Sequence, residues 1–217
     1  MPARRRTQDG GVKMGRFFNV DNPVWRFIGN LADVFIVSVL WIVCSLPVVT
    51  IGASTTAMYY VTLKLASNQE GYTVRSFFKS FRQNFKQATV IWIGTAAVGV
   101  VLYLDVMWCL TSGTSLGRSV IIAALIMCVI YLLFLTMVFP LLARCENTVS
   151  ALVKMAFALC IRNAVLLFSA VVITAVIFYV ALFHVWILAI IAPGLSAFLN
   201  SYIINRIFEK YHLNLQS

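Results

Sequence analysis

The stretch LADVFIVSVLWIVCSLPVVTIGASTTAMYYVTL, residues 31–63, decides the fold. As a single helix it would be about 50 Å long, against about 30 Å of bilayer hydrocarbon. Two complete crossings would need roughly 40 residues and a turn, more than the stretch contains. Pro47 and Gly52 interrupt it near its middle, within Ser45-Leu46-Pro47-Val48-Val49-Thr50-Ile51-Gly52. A proline removes one backbone donor and pushes the residue before it out of the helical region. The stretch therefore predicts a helix, a break and a second, shorter helix, arranged as a tight hairpin or a re-entrant pair.

The rest of the chain fits that beginning. Of its 217 residues 61% are hydrophobic and 11% charged, and the mean hydropathy is +0.91. Soluble domains run at about 45–50% apolar and about 25% charged. An ordinary soluble enzyme, a disordered chain and a secreted disulfide scaffold are thereby excluded. Four further apolar runs, at 88–110, 120–142, 165–183 and 185–204, each suit one crossing, the last two joined by a short turn at His184. The expected fold is all-α, a polytopic helical protein of the cell membrane. The five cysteines are odd in number, lack C-x-x-C spacing and lie mostly inside apolar runs, so neither a disulfide framework nor a metal site is expected.

Charge sets the topology. The net charge is +10, yet 16 of the 17 Lys and Arg residues sit in four segments, the two ends of the chain and two gaps between apolar runs. If residues 31–63 return to the side they left, all sixteen face the cytoplasm and only Arg118 faces out, as the positive-inside rule requires. This gives about six passes, the second short or re-entrant, with both termini cytoplasmic. Residues 1–27 then form a basic cytoplasmic tail. Residues 28–217 form a single transmembrane domain with cytoplasmic amphipathic segments at 67–86 and 146–163. The same distribution explains the basic charge without a nucleic-acid partner. Arg4-Arg5-Arg6 is followed by no apolar region until Leu31, so no cleavable signal is expected, and Met14 is an alternative start.

Little in the apolar runs suits chemistry. Asp33 and Asp105 are the candidate intramembrane ionisable groups, and helix spacing puts both toward the bilayer faces. There is no nucleophile constellation, phosphate-binding loop or metal-ligand spacing, so neither catalysis nor a cofactor is expected. The most polar intramembrane patch is GASTTA at 52–57, with Ser54, Thr55 and Thr56. A fainter echo lies at Pro193-Gly194-Leu195-Ser196, read as a second break, followed by Asn200. Small polar residues favour close helix packing, and broken helices can also line a substrate site. Packing is the leading reading. Trp92, Trp108 and Trp186 fit the aromatic belts at the membrane faces, and Trp41 lies deeper.

Two segments are candidates for contact with lipid or a partner. In 74–86, Phe78, Phe81 and Phe85 share one helical face, while Arg75, Lys79, Arg82 and Lys86 cluster on another. This is a basic amphipathic helix suited to an anionic leaflet. In 146–163, Asn147, Ser150 and Lys154 make a narrow polar stripe on an otherwise apolar helix.

Several motifs resemble those of the YesL family, small membrane proteins of Gram-positive bacteria. They are Gly15-Arg16-Phe17-Phe18-Asn19 with Asn22-Pro23-Val24-Trp25, the run from Cys44 to Ala57, Gly71-Tyr72 with Arg75-Ser76-Phe77-Phe78, Asn84-Phe85-Lys86, and Phe139-Pro140-Leu141-Leu142-Ala143-Arg144. The resemblance supplies no catalytic residues. It implies a neighbourhood of carbohydrate ABC importers and polysaccharide-utilisation genes. The expected function is therefore an accessory membrane subunit or assembly factor working with carbohydrate ABC importer permeases. The alternatives are an independent small-molecule transporter or channel, and a membrane scaffold or sensor for sugar utilisation.

Overall fold

The computed structural model describes residues 23–69, 71–111, 115–184 and 188–211. They form seven α-helices, with no strand among the described residues: α1 Pro23–Cys44, α2 Ile51–Ala66, α3 Thr73–Thr111, α4 Ser115–Arg144, α5 Val149–Arg162, α6 Ala164–Phe183 and α7 Leu188–Lys210. The basic tail through residue 22, with Met14, lies outside the described residues, as do Trp186 and residues 212–217. The chain divides into two units, Met1–Asp33 and Val34–Ser217. The described part of the first is the opening of α1. The second carries everything that follows.

Helix α1 starts at Pro23, inside the segment expected to be tail and ahead of the apolar stretch. Proline suits a first helical turn, because its missing N–H has no intrahelical partner there and its φ is already helical. Four helices are long and apolar enough to cross a bilayer: α3, residues Val120–Arg144 of α4, α6 and α7. They mark the chain as a membrane protein by length and composition.

The break at Pro47 is present. A short 3-10 turn, Val48–Thr50, separates α1 from α2. The Thr50 hydroxyl shares its proton between the Cys44 and Pro47 carbonyls, each 2.6 Å away, which ties the turn to the end of α1. Further along, Trp41 Nε1 donates to Thr55 Oγ1 at 3.1 Å, which joins the end of α1 to the start of α2. At 16 residues α2 is about 24 Å long, short of the hydrocarbon thickness.

Helix α2 is the axis of the bundle, packing on α3, α4 and α7. Eleven of its 16 residues are buried, from Gly52 to Leu63 with the exception of Thr55. Its tightest approach is to α3. A Cβ on Gly52 would stand 2.6 Å from both the Ala88 carbonyl oxygen and Trp92 Cβ, so only glycine fits. Beside it, Trp92 Nε1 donates to the Val48 carbonyl at 2.8 Å. At the opposite extreme, α6 buries only Leu167, Ala170 and Ala181, the pattern of a helix turned largely to lipid.

Two expectations change. The segment 67–86 is not a separate surface helix. Residues from Thr73 onward run without interruption to Thr111, in one helix of 39 residues, about 58 Å long. Nothing in Lys86-Gln87-Ala88-Thr89 breaks a helix, and a polar first half can continue directly into an apolar second half. Nor does Pro193 break the last helix. It lies inside α7 and is buried. The missing N–H of a proline is tolerated where neighbouring groups satisfy the freed backbone. Here Gly194 N–H donates to Ser38 Oγ at 3.0 Å, and Ser38 shares its own proton between the Val34 and Ile191 carbonyls at 2.9 and 3.1 Å. A Cβ on Gly194 would strike Ser38 Oγ and stand 2.6 Å from the Val34 carbonyl oxygen.

Candidate functional site

Polar side chains gather along the contact of α7 with α2 and α6. Ser201 and Asn205 are four residues apart on one face of α7, and Asn200 lies beside them, facing α6. Ser201 Oγ lies 2.9 Å from Thr62 Oγ1 and 2.7 Å from the Ala197 carbonyl. Asn205 Nδ2 donates to the Leu63 carbonyl at 3.1 Å and to Ser67 Oγ at 3.0 Å. Asn200 Nδ2 donates to Thr174 Oγ1 on α6 at 2.8 Å.

Among the described residues no hydrogen bond joins Ser54, Thr55 or Thr56 of the patch expected at 52–57 to Asn200. Thr55 accepts from Trp41 on α1, and Thr56 bonds back to the Gly52 carbonyl at 2.9 Å. Ser54 is buried and its hydroxyl has no hydrogen-bond partner. Of the three, Thr56 bonds to its own helix backbone and Thr55 to a side chain of α1, and small polar residues of this kind let helices approach closely.

Arg144, at the end of α4, is the residue sequence reasoning missed. It is only 8% exposed. Its Nη1 donates to Asn205 Oδ1 at 2.6 Å, its Cζ stands 4.8 Å over the Phe208 ring, and its Nε has no hydrogen-bond partner. The amide and the ring face replace part of the hydration that burial removes. In the sequence Arg144 closes an apolar run, which reads as an ordinary interfacial anchor. The signal that could have found it was Asn205, an amide one turn from Ser201 on the same face of α7.

The Arg144–Asn205 contact lies at the end of the bundle where α2 finishes, α3 begins, and α4 and α7 finish. A cavity of about 680 Å³ opens here between α3 and the loop after α4, lined among others by Lys79, Lys86, Gln87, Arg144, Glu146 and Asn147. A second cavity of about 310 Å³ shares Tyr60 and Lys79 with the first and adds Lys64 and Arg75. Lys64 Nζ sits 4.5 Å over the Tyr60 ring. Cys145 also lines the larger cavity, where burial pushes its thiol up and the Arg144 charge opposes the shift.

The structure thus brings Arg75, Lys79 and Lys86 to these cavities, while Arg82 lines neither of them. The aromatic face shifts by one residue from expectation. Phe77 is fully buried, stacked 6.3 Å from Phe81, which in turn meets Phe85 edge-on at 5.5 Å. Phe78 is 41% exposed. Viewed down α3, Phe78 lies about 60° from Arg75 and about 40° from Arg82, both exposed, because positions three and four apart share a helical face.

A model of the family described as "Protein of unknown function, DUF624" matches residues 34–106, about a third of the chain. The match covers the second half of α1, all of α2 and most of α3. Neither a curated protein nor a solved structure matches the chain.

Proposed function

We propose that this protein is an accessory membrane subunit or assembly factor of a carbohydrate ABC importer, as its resemblance to the YesL family implies. In this reading it has about six passes, with both termini and the basic end in the cytoplasm. The observation that carries the docking role is α5. At 14 residues it is about 21 Å long, too short to cross. One side, Leu152, Ala156, Leu159 and Cys160, is buried in the bundle. Another side presents Val153, Phe157 and Ile161 at four-residue spacing, all exposed. Such a stripe suits insertion into a groove of a partner helix bundle. Purification of the full chain in mild detergent from cells expressing the importer should recover the permease subunits. Ile161→Ser, at the most exposed position of the stripe, should lower that recovery at equal membrane abundance. Repeated recovery of no permease sinks the proposal.

The second reading, an independent transporter or channel, draws on the polar groups of α2 and α7. Their mutual hydrogen bonds argue for packing instead. Uptake of a sugar by liposomes containing this protein alone would reverse that judgement.

A further inference from the structure

We propose that the basic end of the bundle holds one anionic phospholipid, its phosphate-bearing headgroup in the larger cavity and an acyl chain in an apolar groove on the same walls. The groove, about 400 Å³, lies between α3, α4 and α5, and its lining includes Ile91, Gly94, Val98, Ile130, Phe134 and Phe157.

Cavity and groove follow one another along both walls. On α3, Gln83 and Gln87 line the cavity, and Ile91, Gly94 and Val98 line the groove. These positions step by three or four residues, so they share one helical face. On the other wall, Glu146, Asn147 and Thr148 line the cavity and Val149, Val153 and Phe157 line the groove. At the level where the two meet, Gln87 Nε2 donates to the Asn147 carbonyl at 3.2 Å, an exposed hydrogen bond over which the lipid's ester region passes. The polarity of the site therefore changes once, at a fixed level, as it does along a phospholipid.

Charge selects the headgroup. Lys79, Lys86 and Arg144 line the cavity against the single carboxylate of Glu146. Arg144 is nine-tenths buried and keeps one donor, Nε, without a partner. Cations and amide donors in such a setting favour a phosphate oxyanion. The groove distinguishes a lipid from a soluble phosphate, because only an amphiphile fills both parts. Such a site is saturable and stoichiometric, unlike general adhesion of a basic surface to a leaflet.

Native mass spectrometry of the full chain, titrated in mild detergent with phosphatidylglycerol or phosphatidylcholine, tests this. One phosphatidylglycerol per chain should be retained at least tenfold better than phosphatidylcholine. Lys79→Gln with Lys86→Gln should abolish that preference. Gly94→Phe should fill the groove and lower retention of phosphatidylglycerol at least tenfold. A Cβ at Gly94 meets nothing within 4 Å, so the substitution has room. Gly94→Leu serves as the second groove-filling variant should the first unfold. Equal retention of the two lipids overturns the proposal, as does binding of many phosphatidylglycerols without saturation. Displacement of the lipid by millimolar inorganic phosphate, with Gly94→Phe and Gly94→Leu both without effect, would assign the cavity to a soluble phosphate-bearing solute and also overturn it.

Discussion

The Arg144 guanidinium and the Asn205 side-chain amide meet at 2.6 Å across α4 and α7, and the same amide donates back to the end of α2. Three helices are thus joined by one asparagine. Asn205→Leu should remove the acceptor and leave the cation buried. A lost hydrogen bond to a charged group, with its partner left unsatisfied, costs about 1.5–3 kcal/mol. Thermal unfolding in detergent should register a clear fall in midpoint. Combining Asn205→Leu with Arg144→Met should recover part of the loss, because an apolar pair leaves no stranded charge. A double variant less stable than Asn205→Leu alone would contradict this account.

Gly52 sets the spacing of α2 and α3. Gly52→Val would force side-chain atoms into the Ala88 carbonyl and Trp92 Cβ, both 2.6 Å from the position of a Cβ. Overpacking of this kind costs about 1–3 kcal/mol. The Trp92 fluorescence should also change, since the indole would be pushed from the Val48 carbonyl. An unchanged midpoint and spectrum would show that the two helices separate easily.

Adjacent phenylalanines on α3 should behave differently. Phe77→Ser opens a cavity in the core, and loss of a buried aromatic side chain costs about 3–5 kcal/mol. Phe78→Ser should leave the unfolding midpoint almost unchanged. If the first half of α3 docks to an importer, Phe78→Ser with Phe85→Ser should reduce permease recovery more than replacing Arg75, Lys79, Arg82 and Lys86 with glutamine. Comparable recovery by the phenylalanine variant would remove this helix from the docking surface.

The five cysteines are all free among the described residues. Burial raises the Cys160 thiol from 9.0 to about 11, and its Sγ lies 3.4 Å from the Leu133 carbonyl. Cys160 should therefore resist alkylation near neutral pH and react faster as pH climbs toward 11. The linkage has a definite sign. The unfolded thiol ionises near 9 and the folded one near 11, so this group's stabilising contribution is complete below pH 9 and is lost between the two values. Rapid iodoacetamide labelling of folded Cys160 at pH 7 would contradict its burial.

The return path of residues 31–63 can be tested on a background lacking native cysteines. Asn68→Cys should stay unlabelled by an impermeant reagent in intact cells, whereas Thr111→Cys should label. The opposite pattern would invert the proposed orientation.

Much of the fold was legible because it depends on hydropathy and on a few breakers. The break at Pro47, the brevity of α2 and the long apolar runs all follow from local sequence. The continuity of α3 did not, since its polar and apolar halves look like separate segments when only composition is considered. Pro193 misled for a related reason. Whether a proline ends a helix depends on a partner such as Ser38, distant in sequence. The cationic residues of the candidate site were visible at 75–86, but their meeting with Arg144 depends on how α3 and α4 pack. Phe77 was passed over for Phe78 because two interleaved series, 77-81-85 and 78-81-85, have equally good helical spacing.

The uninterrupted α3 also has a mechanical consequence. Gly52 grips it at Ala88 and Trp92, leaving arms of about 22 Å toward Thr73 and about 28 Å toward Thr111. With no hinge between them the arms act as a lever on a fixed fulcrum. A tilt of about 10° carries Thr73 roughly 4 Å and Lys79 roughly 2 Å one way, and the far end roughly 5 Å the other. Any force that leans the membrane half of this rod therefore reshapes the cationic mouth, with no unfolding and no rotation about a flexible joint.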